Sequence, residues 1–282
     1  MPPRAILDFP PFAGFTPATF DWFAQLAGDN SRAFFARTRD VWAAHVRDPL
    51  TGLLGELAAH DGGSVRLFRQ HRDARFARTA DPARPIKETT YGVITARPGT
   101  EAGLYVELSA RGLFAGTGAY QLAADQLSRY RTAVLADATG APLAAEVARL
   151  ERAGYVVLGA ALQGVPRGVP REHARAGLLR RKELPVGRWL APDLAATDAR
   201  RVRDHVRRTW EGARALNAWF DDHVGASAIP PEIRWGGGRA ARSRPTGRAA
   251  GRSAGGAAAD PSARAVPRVR PAGTRTARGG RG

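Results

Sequence analysis

Three strand-forming runs follow one another at residues 89–96, 103–110 and 112–120, joined only by short links at Pro98-Gly99 and Arg111-Gly112. Parallel neighbours need a crossover of a dozen or more residues, so links this short fold consecutive strands back antiparallel. A central meander is therefore the feature that every other segment has to accommodate. A fourth run, residues 64–70, follows the Asp61-Gly62-Gly63 turn. It alternates Val65, Leu67 and Arg69 with Arg66, Phe68 and Gln70, and reads as a further strand with polar groups on both faces.

Helical spacing flanks this block on both sides. Thr16 is a preferred N-cap, Pro17 suits the first helical position, and Phe15 can staple onto Phe20. That helix ends at Gly28-Asp29-Asn30, where Asn30 or Ser31 can cap the next. The apolar stripe Phe34, Val41, Trp42, Val46, Leu50, Leu53, Leu54 and Leu57 passes Pro49, which is expected to kink or split it. Beyond the meander, Leu127, Tyr130 and Val134, then Leu143, Val147 and Leu150, mark two more helices. Residues 155–161 read as a short strand, 164–170 as a loop and 172–182 as a helix. Thr197 is the expected N-cap of one long closing helix carrying Val202, Val206, Trp210, Leu216 and Phe220. Helices, then strands, then helices, without alternation, place the chain in the α+β class: an antiparallel sheet with helices packed on it, an N-terminal helix pair and a long C-terminal helix.

At 44% hydrophobic in 282 residues, residues 1–230 can bury a single globular core without staples. Cysteine is absent, which excludes disulfides, thiolate metal sites and a cysteine nucleophile; it fits a reducing compartment, with the cytoplasm as the default. There is no basic-then-apolar leader and no stretch of ~18 apolar residues, so neither export nor a membrane partner is expected. The net charge of +17 is unevenly spread: from Pro231 onward twelve Arg face only Glu232 and Asp260, a surplus of 10, which leaves +7 for residues 1–230. After Trp235 the segment has no aromatic residue, Leu, Ile or Met and cannot build a core, so residues 231–282 are expected to be a disordered Arg/Gly/Ala/Pro-rich tail. An out-of-frame reading of a GC-rich gene end would give the same composition. If nucleic acid is a partner, the contact is expected through this tail alone, without aromatics to stack on bases.

The densest site-like chemistry is at residues 66–88, where Arg66, Arg69, Arg72, Arg75, Arg78, Arg84 and Lys87 stand against Asp73, Asp81 and Glu88. Arginine clamps a carboxylate or phosphate through two parallel N–H donors. One reading is therefore a ligand pocket in which Arg69, Arg72 and Arg75 hold an anion, Asp73 orients them and Lys87 completes the wall. The other is a structural ion-pair network that pins a loop to the sheet. Within this stretch Arg69-Gln70-His71-Arg72-Asp73-Ala74-Arg75-Phe76 resembles the RxxRDxRF signature of the bacterial family called domain of unknown function 2461. The resemblance extends over about residues 10–225, through Asp29-Asn30-Ser31-Arg32-Ala33-Phe34-Phe35, Gly116-Thr117-Gly118, Val165-Pro166-Arg167-Gly168 and Leu178-Leu179-Arg180-Arg181-Lys182. The chain departs from the family pattern after Phe76: Asp81 is followed by Pro82 where an Asp-Lys pair is usual, and Pro85-Ile86-Lys87 stands for Pro-Tyr-Lys. Arg69, Arg72, Asp73, Arg75 and Lys87 are the positions carried over. The family is uncharacterised, so the resemblance implies a place for the site and no reaction.

Other features are weaker. Residues 112–118, rich in glycine, could form a phosphate nest, although glycines at bulges in a meander explain them more simply. The six histidines lack HxxxH or HExxH spacing, so no metal site is expected, and the residues leave any cofactor unidentified. His71, beside two arginines, could be a general base biased toward its neutral form. Arg200, Arg201, Arg203, Arg207 and Arg208 read as the wet face of a helix, and Trp210 and Trp219 as packing residues. The reading that follows is a protein that binds or processes a small phosphate- or carboxylate-bearing ligand; the alternative is a non-enzymatic interaction module whose charge cluster is structural. Enzymatic activity is not decided by these residues.

Overall fold

In the computed structural model, which describes residues 9–72 and 84–229, α1 (Pro17–Gly28) begins where the Thr16 cap and Pro17 place it, and the Phe15 and Phe20 rings meet at 6.5 Å. Ser31 rather than Asn30 caps α2 (Arg32–Arg37), its Oγ accepting from Phe34 N at 3.0 Å. α3 (Arg39–Trp42), a π-turn (Ala43–Arg47) and α4 (Asp48–Asp61) follow. Pro49 lies in the first turn of α4, and the expected break in the apolar stripe takes the form of the π-turn just before it. Proline has no N–H to offer the His45 carbonyl, and the buried Thr19 hydroxyl of α1 donates to it instead at 2.7 Å.

β1 (Ser64–Leu67), β2 (Thr89–Thr95), β3 (Gly103–Ser109) and β4 (Gly112–Ala119) form the expected meander. α5 (Ala124–Leu135), α6 (Asp137–Arg152), the two-residue β5 (Val156–Val157), α7 (Ala176–Leu179) and β6 (Leu184–Leu190) come next. The sheet order is β1-β2-β3-β4-β6-β5, with every pairing antiparallel. The helix expected over 172–182 shrinks to α7, and Arg181 bridges Ala161 instead. β6 has no counterpart in the sequence reading, because Pro185 and Gly187 interrupt its pattern. Proline is tolerated there because on the β5 side Pro185 serves only as an acceptor, its carbonyl taking the Leu158 N–H at 2.8 Å just past the end of β5.

α8 (Pro192–Ala195), α9 (Ala199–Gly212) and α10 (Arg214–His223) close the fold. The cap of α9 is Asp198, whose Oδ1 accepts from Arg200 N at 2.8 Å, while the Thr197 hydroxyl bonds to Leu194 O. The long C-terminal helical run is divided at Ala213. Helices α1–α4 and α9 bury Leu50, Leu53, Leu54, Val202 and Val206 against Leu104, Val106, Leu108, Leu113 and Ala115. A second core joins α5, α6, α7 and α10 to Leu184 and Val186. Each of the buried Leu and Val side chains contributes about 1.5–3 kcal/mol on burial, which fixes the helices to the sheet. All the strand residues in both cores lie on one sheet face, as their alternation and register require. Tyr91 and Phe114 are just as buried yet belong to neither core, because they lie on the opposite face. Among the described residues no helix is long and apolar enough to cross a membrane.

Candidate functional site

The site begins at a slip in strand pairing. Leu67 stands opposite Gly92, and four residues later His71 stands opposite Ile86, six residues before Gly92. The second strand therefore carries two residues more than the first, and some of its carbonyls have no partner in the ladder. The Gln70 amide fills the gap: Nε2 donates to the carbonyls of Lys87 at 2.6 Å and Thr89 at 3.2 Å, and Oε1 accepts from Thr90 Oγ1 at 2.6 Å. Trp42 Nε1 donates to that hydroxyl at 3.1 Å, and Gln70, Thr90 and Trp42 are all buried. From the turn before α2, the Oδ1 of buried Asn30 accepts from Ile86 N at 2.9 Å. Two buried amides thus fix the backbone on either side of Lys87, where bonds in low dielectric are costly to break.

This backbone places Lys87 on the sheet face opposite the helix-backed cores. The residue is 4% exposed. Its Nζ lies 3.4 Å from the Tyr91 hydroxyl, 4.9 Å from the centre of the Tyr91 ring and 5.9 Å from that of Phe68. Phe68 and Tyr91 stack at 4.6 Å, and a row of rings continues through Tyr105 (5.5 Å), Phe114 (6.1 Å) and Trp189 (5.0 Å) across the whole sheet. Guanidinium groups lie over both end rings, Arg66 at 4.8 Å from Phe68 and Arg111 at 4.4 Å from Trp189. Glu107, opposite both Tyr91 and Phe114, accepts a short hydrogen bond from the Tyr105 hydroxyl. The arrangement combines a cation, a carboxylate and two phenols on an aromatic floor, and such a set can hold an anionic group and exchange a proton with it.

Of the residues singled out from sequence, Arg72 is bonded to the backbone just before Lys87, while Asp73 and Arg75 lie outside the described residues. Arg69 is exposed. Arg72 pins the neighbouring backbone, its main-chain N–H donating to Pro85 O at 2.9 Å and its Nε to Ile86 O at 3.3 Å. His71 packs edge-on against Phe35 at 5.0 Å, and its pKa is lowered by partial burial and by the charges of Arg32 and Arg39 rather than by its chain neighbours. The glycine-rich strand contains no bulge, since β4 pairs residue for residue with β3 and β6. Gly116 and Gly187 stand opposite each other, and a Cβ on either would press into the Phe114 ring. They form the flat floor on which that ring lies. Arg203 is a strut: it bonds Glu56 at 2.7 Å and the Phe12 carbonyl at 2.6 Å. Among the described residues no group of three His, Asp or Glu is placed to hold a metal ion.

Sequence reasoning missed Gln70, Tyr105 and Glu107. The period-2 pattern held the signal for the last two, because they alternate with Leu104, Val106 and Leu108 and so share the face opposite the core. Nothing local marks Gln70, whose role arises only from the pairing slip.

Compared with known proteins, the chain matches a family model described as Conserved hypothetical protein (DUF2461) over residues 18–219. No curated protein matches it. The match spans most of the chain, from the first turn of α1 through α9; the chain belongs to this family.

Proposed function

We propose that this member of the DUF2461 family binds a small phosphate- or carboxylate-bearing ligand on the sheet face opposite its helices, with Lys87 as the cation that holds the anionic group. The observation that carries the reading is the burial of the Lys87 ammonium against the Tyr91 hydroxyl and ring. Burying an ammonium is costly, and even a paired one is seldom more stable than a well-packed apolar side chain, so a lysine fixed there by Gln70 and Asn30 is better explained by binding than by stability. Phe68 and Tyr105, partly exposed, offer surface for the apolar part of the ligand. Tyr105 and Glu107 supply the proton exchange that a reaction at the anionic group would need. Arg66, exposed and lying over the Phe68 ring, would draw the anion in, with exposed Arg69 adding to the local positive charge.

A panel of phosphorylated and carboxylated metabolites in a thermal-shift assay tests this. A ligand at about 100 times its Kd stabilises the folded state by about 2.7 kcal/mol, which for a chain of this size raises Tm by about 5–10 °C. The rise should disappear in Lys87→Met and weaken in Tyr105→Phe. If no compound shifts the wild type, or if Lys87→Met keeps the full shift, the reading is wrong.

A further inference from the structure

A second cationic feature lies on the helix-backed side of the sheet, between β6 and α9. Because β5 pairs only with Val186 and Gly187, the next residues of β6 have one edge without a strand partner. His205 of α9 covers part of that edge, its Nε2 3.3 Å from the Arg188 carbonyl. A carbonyl only accepts, so Nε2 carries the proton in this contact. Beyond it, strand and helix part to leave a groove of about 510 Å³, with Arg188 and Leu190 on the strand side and Arg200, Arg201 and Arg208 on the helix side. That volume suits a small ligand.

The charges in the groove do not cancel. Asp204 lies 3.4 Å from Arg208, and Asp198 caps the helix by accepting from Arg200 N at 2.8 Å. Among the described residues Arg188, Arg200 and Arg201 form no ion pair, so four guanidinium groups face two carboxylates that are already engaged. A run of arginines on a helix is ordinarily a solvated face. Here Arg188 comes from a different element, is half-buried, and has its guanidinium 5.6 Å from the centre of the Tyr155 ring, converging on the same groove. Arg201, His205 and Arg208 are spaced to share one face of α9.

We propose that this groove binds a small phosphoryl dianion or trianion, of the size of pyrophosphate, held by Arg188, Arg200 and Arg201 through paired N–H donors. Guanidinium forks match the geometry of phosphoryl oxygens, and the surplus of two positive charges matches such an anion. The proposal is independent of the Lys87 site, which lies on the other face.

The test is a thermal-shift and calorimetric titration of the full-length chain with inorganic pyrophosphate and, in parallel, tricarballylate, at low ionic strength. Four proteins are compared: wild type, Arg200→Gln/Arg201→Gln, Arg188→Gln and Lys87→Met. The arginine-rich segment after residue 230 is present in all four, so its contribution cancels. We expect saturable pyrophosphate binding with a rise in Tm, weakened about tenfold or more by Arg200→Gln/Arg201→Gln and by Arg188→Gln, and unchanged in Lys87→Met. Should Arg188→Gln unfold, the double variant of exposed residues decides alone. No rise in Tm up to about 10 mM pyrophosphate would overturn the proposal. So would a rise retained by the groove variants, or one lost only in Lys87→Met, which would assign the anion to the other face. Tricarballylate binding as tightly as pyrophosphate would overturn the phosphoryl assignment.

Discussion

Replacing Gln70 with methionine keeps the side chain's volume and removes its polar atoms. Three hydrogen bonds are lost, to Lys87 O at 2.6 Å, Thr89 O at 3.2 Å and Thr90 Oγ1 at 2.6 Å. Each is worth about 0.5–1.5 kcal/mol net, and a buried carbonyl left without a donor costs about 1–3 kcal/mol. Thr89 is only half-buried and its carbonyl can turn to water, whereas the Lys87 backbone sits beside the buried Gln70 side chain. The expected loss is therefore about 2–4 kcal/mol. Urea denaturation followed by tryptophan fluorescence measures it: with a slope of about 2–3 kcal/mol/M, the midpoint should fall by about 0.7–2 M at unchanged slope. Gln70→Glu should be worse, since a carboxylate has no N–H to give and faces two carbonyls. A loss under about 1 kcal/mol for Gln70→Met would refute the claim that this amide completes the ladder, because an apolar swap of conserved volume alone already costs up to about that much.

Gly187→Ala should destabilise by about 1–3 kcal/mol and alter the near-UV circular dichroism of Trp189, because the new methyl would collide with the Phe114 ring and the Ala115 carbonyl. Hydrogen bonding from Arg203 holds the Glu56 carboxyl below its ordinary pKa. A depressed folded pKa contributes stability above the unfolded value of about 4.3 that is lost as pH falls through the folded one, so the stability gap between wild type and Glu56→Gln should narrow in acid below about pH 4. Desolvation would raise the Asp125 pKa, but hydrogen bonds from the Ser227 hydroxyl and the Ala228 N–H outweigh it and lower the value, tying the chain after α10 to the start of α5. In Asp125→Ala the Ala228 amide should exchange with solvent much faster, with little change in the amides of β3. His71 should titrate below its ordinary value in an NMR pH series, and Arg39→Gln should move its midpoint upward.

The meander was legible because its turns are short and its apolar alternation is regular; residues 89–96, 103–110 and 112–120 each lose at most one residue at the C-terminal end. Helix starts written in local chemistry, such as Thr16-Pro17, were legible for the same reason. β6 was not, since Pro185 and Gly187 hide a strand whose place depends on β4 and on the brevity of β5. The candidate site was half legible. Charge density in 66–88 pointed to Lys87, but density cannot separate Arg72, which pins Ile86, from a ligand-holding arginine. Tyr105 and Glu107 reach Lys87's neighbourhood through cross-strand register, which becomes visible only once the strands are paired.

On the reading proposed above, a ligand docks on the sheet face that carries Lys87. Aromatic ¹³C–¹H NMR of the full-length chain, titrated with the compound that most raises Tm, tests it directly. The Phe68, Tyr105 and Trp189 resonances should move with the titration while the helix-packed Trp22, Phe23 and Trp219 stay in place, and Lys87→Met should abolish the movement. Shifts confined to the helix-packed rings, or an undiminished response in Lys87→Met, would contradict it.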